Sequence, residues 1–213
     1  MTATQLVRAA AIGLALFTLS PAIAPATPVL AHGIKSASDL RTALNMLLAE
    51  HATLAASATG AALGGRPDEF EAAAGALDEN SKAIAGAVGL VYGKGAEDAF
   101  LPLWRKHIGF FVDYTMATAK KDMAAKDKAV NDLLAYTEDF GAFLESANKR
   151  LKQDAVAELV KSHVLTLAAV VDAQAMKDYG KAYAAERTAF AHMQHVGDAL
   201  ATAIAQQYPK KFK

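Results

Sequence analysis

The chain contains no cysteine. That excludes disulfides, iron–sulfur clusters, thiolate zinc sites and a cysteine nucleophile. It has no excess of either charge, with 22 basic and 22 acidic side chains, so there is no basic footprint for nucleic acid and no polybasic face for anionic lipid. Apart from the N-terminus, no run reaches the roughly 18 uncharged apolar residues that a membrane span needs. No G-x-S-x-G turn, Gly-rich phosphate loop after a strand or other nucleophile motif occurs, which argues against a hydrolase or nucleotide enzyme. β-Branched runs are rare too, whereas alanine is abundant, a composition that favours helix.

The N-terminus reads as an export signal. Arg8 is followed by the apolar run Ala9 to Leu19, too short for an anchor. Pro21, Pro25 and Pro28 break any helix there, and Val29-Leu30-Ala31 suits a cut after Ala31. A signal peptide over 1–31 and a single helical domain over 32–213 are expected, in the periplasm or secreted, without stable membrane insertion. Loss of Arg8 leaves a net charge near −1. Without disulfides, stability has to come from packing, for which about 180 residues suffice.

Breakers fall at regular intervals. A helix is expected over Ser36 to Ala62, capped by Ser36 or Ser38 and stopped by Gly64-Gly65-Arg66. Pro67, Asp68, Glu69 and Glu71 suit the start of a second helix ending near Tyr92-Gly93. The third is expected from about Pro102, or slightly before it, to Ala119. The fourth ends near Ala147, the fifth spans Gln153 to Ala175, and the sixth ends before Pro209.

The intervals share a period of 56 residues. His51, His107 and His163 repeat at it, as do Leu47, Leu103 and Leu159, and Ala43, Ala99 and Ala155. Lys121-Asp122 and Lys177-Asp178 match, with Arg66 at the place of Asp122. Ile84, Phe140 and Val196 align, and so do Val88, Leu144 and Leu200. The expected fold is all-α: three 56-residue helical hairpins, about 40–95, 96–151 and 152–209, forming a six-helix up-down bundle. No copy looks like a polar terminal cap, which favours closure over an open stack.

One polar layer interrupts the apolar faces. His51, His107 and His163 each have a leucine four residues earlier and apolar side chains three or four later, so each points inward. Asn80, Tyr136 and His192 occupy the corresponding inner position of the second helices. All six lie about 14 residues from their turns, roughly 21 Å of helix, and hence at one height. His195 is one turn beyond His192 on a neighbouring face.

Buried polar groups need partners, and imidazole is a ligand for copper, zinc, iron and nickel. The metal reading takes His51, His107, His163 and His192 as ligands and Asn80, Tyr136 and His195 as their supports. Cu or Zn is the expected ion, for storage, delivery or sensing. The competing reading is a non-enzymatic envelope structural or interaction domain, its polar layer only fixing helix packing. A tri-histidine centre with an open position for catalysis is a third. The layer holds no carboxylate and no Glu-x-x-His pair, which argues against a di-iron carboxylate centre. Met193 and Met46 offer soft sulfur, but methionine is commonly core filler. His32 could chelate copper as a first mature residue, and Trp104 with Phe110-Phe111 is expected to build core.

The segment Leu103-Trp104-Arg105-Lys106-His107-Ile108-Gly109-Phe110-Phe111-Val112-Asp113-Tyr114 resembles a helical region of secreted bacterial proteins often labelled copper amine oxidase-like. Ala191-His192-Met193, Gly197-Asp198-Ala199-Leu200 and the ending Gln207-Tyr208-Pro209-Lys210-Lys211-Phe212 extend the resemblance over most of the chain. It implies an exported helical domain and suggests copper. It does not imply amine oxidation, because those enzymes form their quinone from a tyrosine in an Asn-Tyr-acid motif, and no Asn-Tyr pair occurs here.

Overall fold

The computed structural model describes residues 34–213. The expected signal peptide and His32 lie outside the described residues. Six helices follow one another: α1 (Ala37–Leu63), α2 (Pro67–Tyr92), α3 (Lys94–Lys120), α4 (Met123–Ala147), α5 (Gln153–Ala175) and α6 (Tyr179–Gln207). No strand occurs among the described residues.

Local chemistry sets most boundaries. Ser36 caps α1 in a capping box, accepting from the Asp39 amide while the Asp39 carboxylate accepts from the Ser36 amide. Pro67 sits in the first turn of α2, where its missing N–H costs nothing. The turns after α1, α3 and α5 are alike. Gly65, Lys121 and Lys177 are left-handed, with φ of 66°, 56° and 58°. In each turn the next residue's amide closes onto a carbonyl five residues back: Arg66 to Ala61, Asp122 to Ala117 and Asp178 to Ala173. Asp122 and Asp178 then cap α4 and α6 through their side chains. Between α2 and α3 only Gly93 intervenes, at φ 91° and ψ 169°, a conformation open essentially to glycine alone.

The structure departs from expectation at α3, which starts at Lys94 with Pro102 inside it. Pro102 is exposed, so the carbonyl left without its helical donor can turn to water. The turn ahead of it is pinned by Phe100, buried and stacked on Trp104. The alanine set also separates: Ala43 is buried, whereas Ala99 and Ala155 are exposed. A side chain of one carbon buries too little area to hold a helix face inward.

Each helix packs on its neighbours in sequence, and α6 packs back onto α1, closing a ring. Short turns make these neighbours antiparallel. In addition α1, α3 and α5 touch one another, so these three run parallel up the middle, with α2, α4 and α6 in the outer clefts between them. Leu47, Leu48, Ile84, Trp104, Tyr136, Phe140 and Met193 form the main core. A second cluster around Leu133, Leu167 and Val170 fills the end toward the α1–α2 turn. At the opposite end, Leu40 and Phe212 close the bundle.

Candidate metal centre

The central trio of helices brings His51, His107 and His163 together. All three rings are buried, at 1 %, 3 % and 4 % exposure. One ring nitrogen from each lies within 4.8 Å of the other two. Three points that close lie within about 2.8 Å of a common centre, somewhat farther than the about 2.0–2.1 Å of a metal–nitrogen bond. His51 Nε2 and His107 Nε2 stand 3.4 Å apart. That is long for a hydrogen bond, and close to the roughly 3.3 Å between two nitrogens on one tetrahedral ion.

Burial in an apolar surround holds all three rings neutral. His51 is pushed well below 6.5 by desolvation and then by repulsion from His107 and His163. His107 falls to about 3, for burial first and because a proton on it would repel one on His163. His163 falls to about 4, again chiefly through burial. Neutral imidazole is the form that ligates. Several polar atoms here lack partners: Nδ1 of His51 and His107, both nitrogens of His163, the Tyr136 hydroxyl and the Trp104 indole N–H. Trp104 lies against two of the rings, with centroids 4.9 Å from His51 and 4.6 Å from His107. The Tyr136 ring lies 5.1 Å from His107.

The remaining expected residues are placed differently. His192 is half-buried, and its Nε2 donates to the Leu159 carbonyl at 2.9 Å, outside the converging group. Asn80 is buried but turned from the imidazoles. Its amide donates to the Leu47 carbonyl at 2.9 Å and to Glu50 at 2.7 Å. Asn80 and His192 thus tie their helices to the carbonyl one turn before the histidine of the same hairpin. His195 is exposed and takes no part. Met46 is exposed, whereas Met193 is buried.

Periodicity gave no sign of a chamber beside the histidines. A cavity of about 90 Å³ runs along the bundle interior from His107, His163, Trp104 and Tyr136 toward Leu40 and Ile204. Its surface is entirely apolar. Only side-chain volumes meeting at the axis determine such a gap, and a pattern of apolar positions does not encode them.

Comparison with protein-family models, curated proteins and solved structures finds no match.

Proposed function

We propose that the protein is an exported metal-binding helical bundle, with His51, His107 and His163 as the ligands and monovalent copper as the ion. The observation that carries this reading is the convergence of three buried imidazoles, one nitrogen of each within 4.8 Å of the others. The donor set favours copper or zinc. Charge decides between them. No carboxylate belongs to the converging group, and Glu50 is exposed and bonded to Asn80. An uncompensated divalent ion in an apolar interior is far costlier than a monovalent one. Zinc would need a bound hydroxide or similar anion; Cu(I) would not. The copper suggested by the family resemblance agrees.

The ligands stand at equivalent places in three hairpins, in our reading copies of one unit with a 56-residue period. The shared left-handed turns at Gly65, Lys121 and Lys177 support that descent. Storage or delivery fits a buried site better than turnover of a large substrate does. His192 and His195 are not needed as ligands.

A second reading has its own support. Metal-bound histidines usually donate their other nitrogen to an acceptor, and here Nδ1 of all three is without one. On that reading the layer fixes helix register in a structural or interaction domain of the envelope. Metal analysis of untagged protein, loaded with Cu(I) or Zn(II), separates the two. Near-stoichiometric copper, lost in His107→Ala, supports the site. No retained metal in a folded protein refutes it.

A further inference from the structure

Three imidazoles do not enclose an ion, and no fourth histidine, aspartate or glutamate joins them among the described residues. Their ring centres are 5.3, 5.6 and 6.4 Å apart. The point equidistant from those centres is about 3.4 Å from each, close to the roughly 3.2 Å that a metal–nitrogen bond of about 2.0–2.1 Å sets between ion and ring centre. The Trp104 ring centre, 4.9 Å from His51 and 4.6 Å from His107, is then at most about 6 Å from that point, within the reach of a cation–π contact. Phe100 stacks on one face of the indole, with planes 19° apart. Phe100 precedes Trp104 by one helical turn and His107 follows it by one, so the opposite face is the one presented to the histidine layer. His107 meets the indole at 79°, the arrangement of a ring edge set against a ring face. The indole N–H has no partner, and a buried unpartnered donor costs free energy. A phenyl ring would keep the stack on Phe100 without that cost, so packing alone does not account for an indole here. A bound cation does, because indole is the strongest cation–π partner among the side chains.

Building on the metal reading above, we propose that the Trp104 indole face is the fourth contact of the tri-histidine centre, a cation–π cap that selects a monovalent closed-shell ion over a divalent one. Trp104 supplies no lone pair and no charge. Three nitrogen donors satisfy Cu(I), which leaves its remaining side bare for the ring. Zn(II) takes a fourth donor atom, and that atom stands between the ion and the indole. The attraction of the ring therefore adds to Cu(I) binding and is largely lost to Zn(II). A cap made of carbon also keeps the interior dry, where a charged fourth ligand would have to be desolvated. Binding and capping can fail separately, since the histidines hold an ion with or without the ring.

The test compares the untagged protein with Trp104→Leu, which removes the π face, and Trp104→Phe, which keeps a weaker one and preserves the stack on Phe100. Competition with chelators gives the affinities for Cu(I) and Zn(II), and Ag(I), a monovalent closed-shell ion stable in air, repeats the Cu(I) arm. Trp104→Leu is expected to weaken Cu(I) and Ag(I) about tenfold and Zn(II) by less than about threefold, with Trp104→Phe in between. In the unsubstituted protein, one equivalent of Ag(I) should move the indole absorption and emission to longer wavelength, while Zn(II) leaves both nearly in place. Equal losses for Cu(I) and Zn(II) in Trp104→Leu make Trp104 a packing residue and overturn the cap, while the histidine site stands. Cu(I) affinity unchanged in Trp104→Leu, or an indole spectrum indifferent to bound Ag(I), overturns the cap as well. Should Trp104→Leu fail to fold, Trp104→Phe and the spectra of the unsubstituted protein decide by the same signs. A folded protein that retains no monovalent ion overturns the metal reading, and the cap falls with it.

Discussion

Lowering the pH from 7 to 5 should destabilise the metal-free protein by at least about 4 kcal/mol, through its buried histidines. In the unfolded chain each ring takes up a proton near pH 6.5. In the folded protein His107 resists protonation to about pH 3 and His163 to about pH 4, and His51 is likewise held well below 6.5. Between these limits the unfolded state binds more protons than the folded one, so stability rises with pH. The contribution is fully present above about pH 6.5 and is lost on acidification until the folded rings themselves protonate. At pH 5, protonation favours the unfolded chain by about 2 kcal/mol each for His107 and His163, hence about 4, and His51 adds in the same direction. That is a large part of the whole stability of an ordinary domain. The assay is urea unfolding followed by circular dichroism at half-unit pH intervals. The slope of unfolding free energy near pH 5 should correspond to at least two protons, or roughly 3 kcal/mol per pH unit. His163→Leu should remove about one proton's share of it. A change below about 2 kcal/mol between pH 7 and 5, or a slope untouched by His163→Leu, would refute the placement of neutral rings in a dry interior.

Trp104 is the single tryptophan and lies against the rings of His51 and His107, so loading the site with stoichiometric Cu(I) should change its emission intensity or wavelength; emission unchanged in the untagged protein would count against the site. His163→Leu removes two buried unpartnered nitrogens at similar volume, and should raise stability at pH 7 by about 1–3 kcal/mol while lowering metal affinity, as read by urea midpoint and metal analysis on one preparation. At Gly141 a methyl group would meet the Gln153 carbonyl oxygen at 2.5 Å, so Gly141→Ala should cost about 1–3 kcal/mol in thermal unfolding by forcing α4 from the start of α5. Asn148→Ala should cost about 1–3 kcal/mol, since its buried amide holds the Ala203 carbonyl at 3.0 Å and its oxygen accepts from the Arg150 amide; a near-neutral urea midpoint would contradict that bonding.

Much of the fold is local and therefore legible in the sequence. Ser36 with Asp39, Gly64-Gly65, Pro67, Gly93 and the Lys-Asp pairs act within one turn of chain, and periodic apolar residues show which face of each helix turns inward. That placed five of six helices closely and pointed His51, His107 and His163 inward at one height. Pro102 misled because whether a helix survives a proline depends on which way the orphaned carbonyl faces and on what anchors the turn before it, here Phe100 on Trp104.

Tertiary structure decided the rest. Height along a helix follows from counting, but lateral reach depends on where three axes meet, and only α1, α3 and α5 meet at the centre. Asn80 and His192 share the layer yet face a neighbouring carbonyl, because outer helices approach the axis through a cleft rather than along it. The apolar chamber arises from side-chain volumes that fail to fill the middle, a sum over six helices that no single segment carries. By itself the sequence determined that the chain is helical and which histidines point inward. The assembled bundle determined that three of them converge, that they are held neutral, and that an apolar space opens beside them.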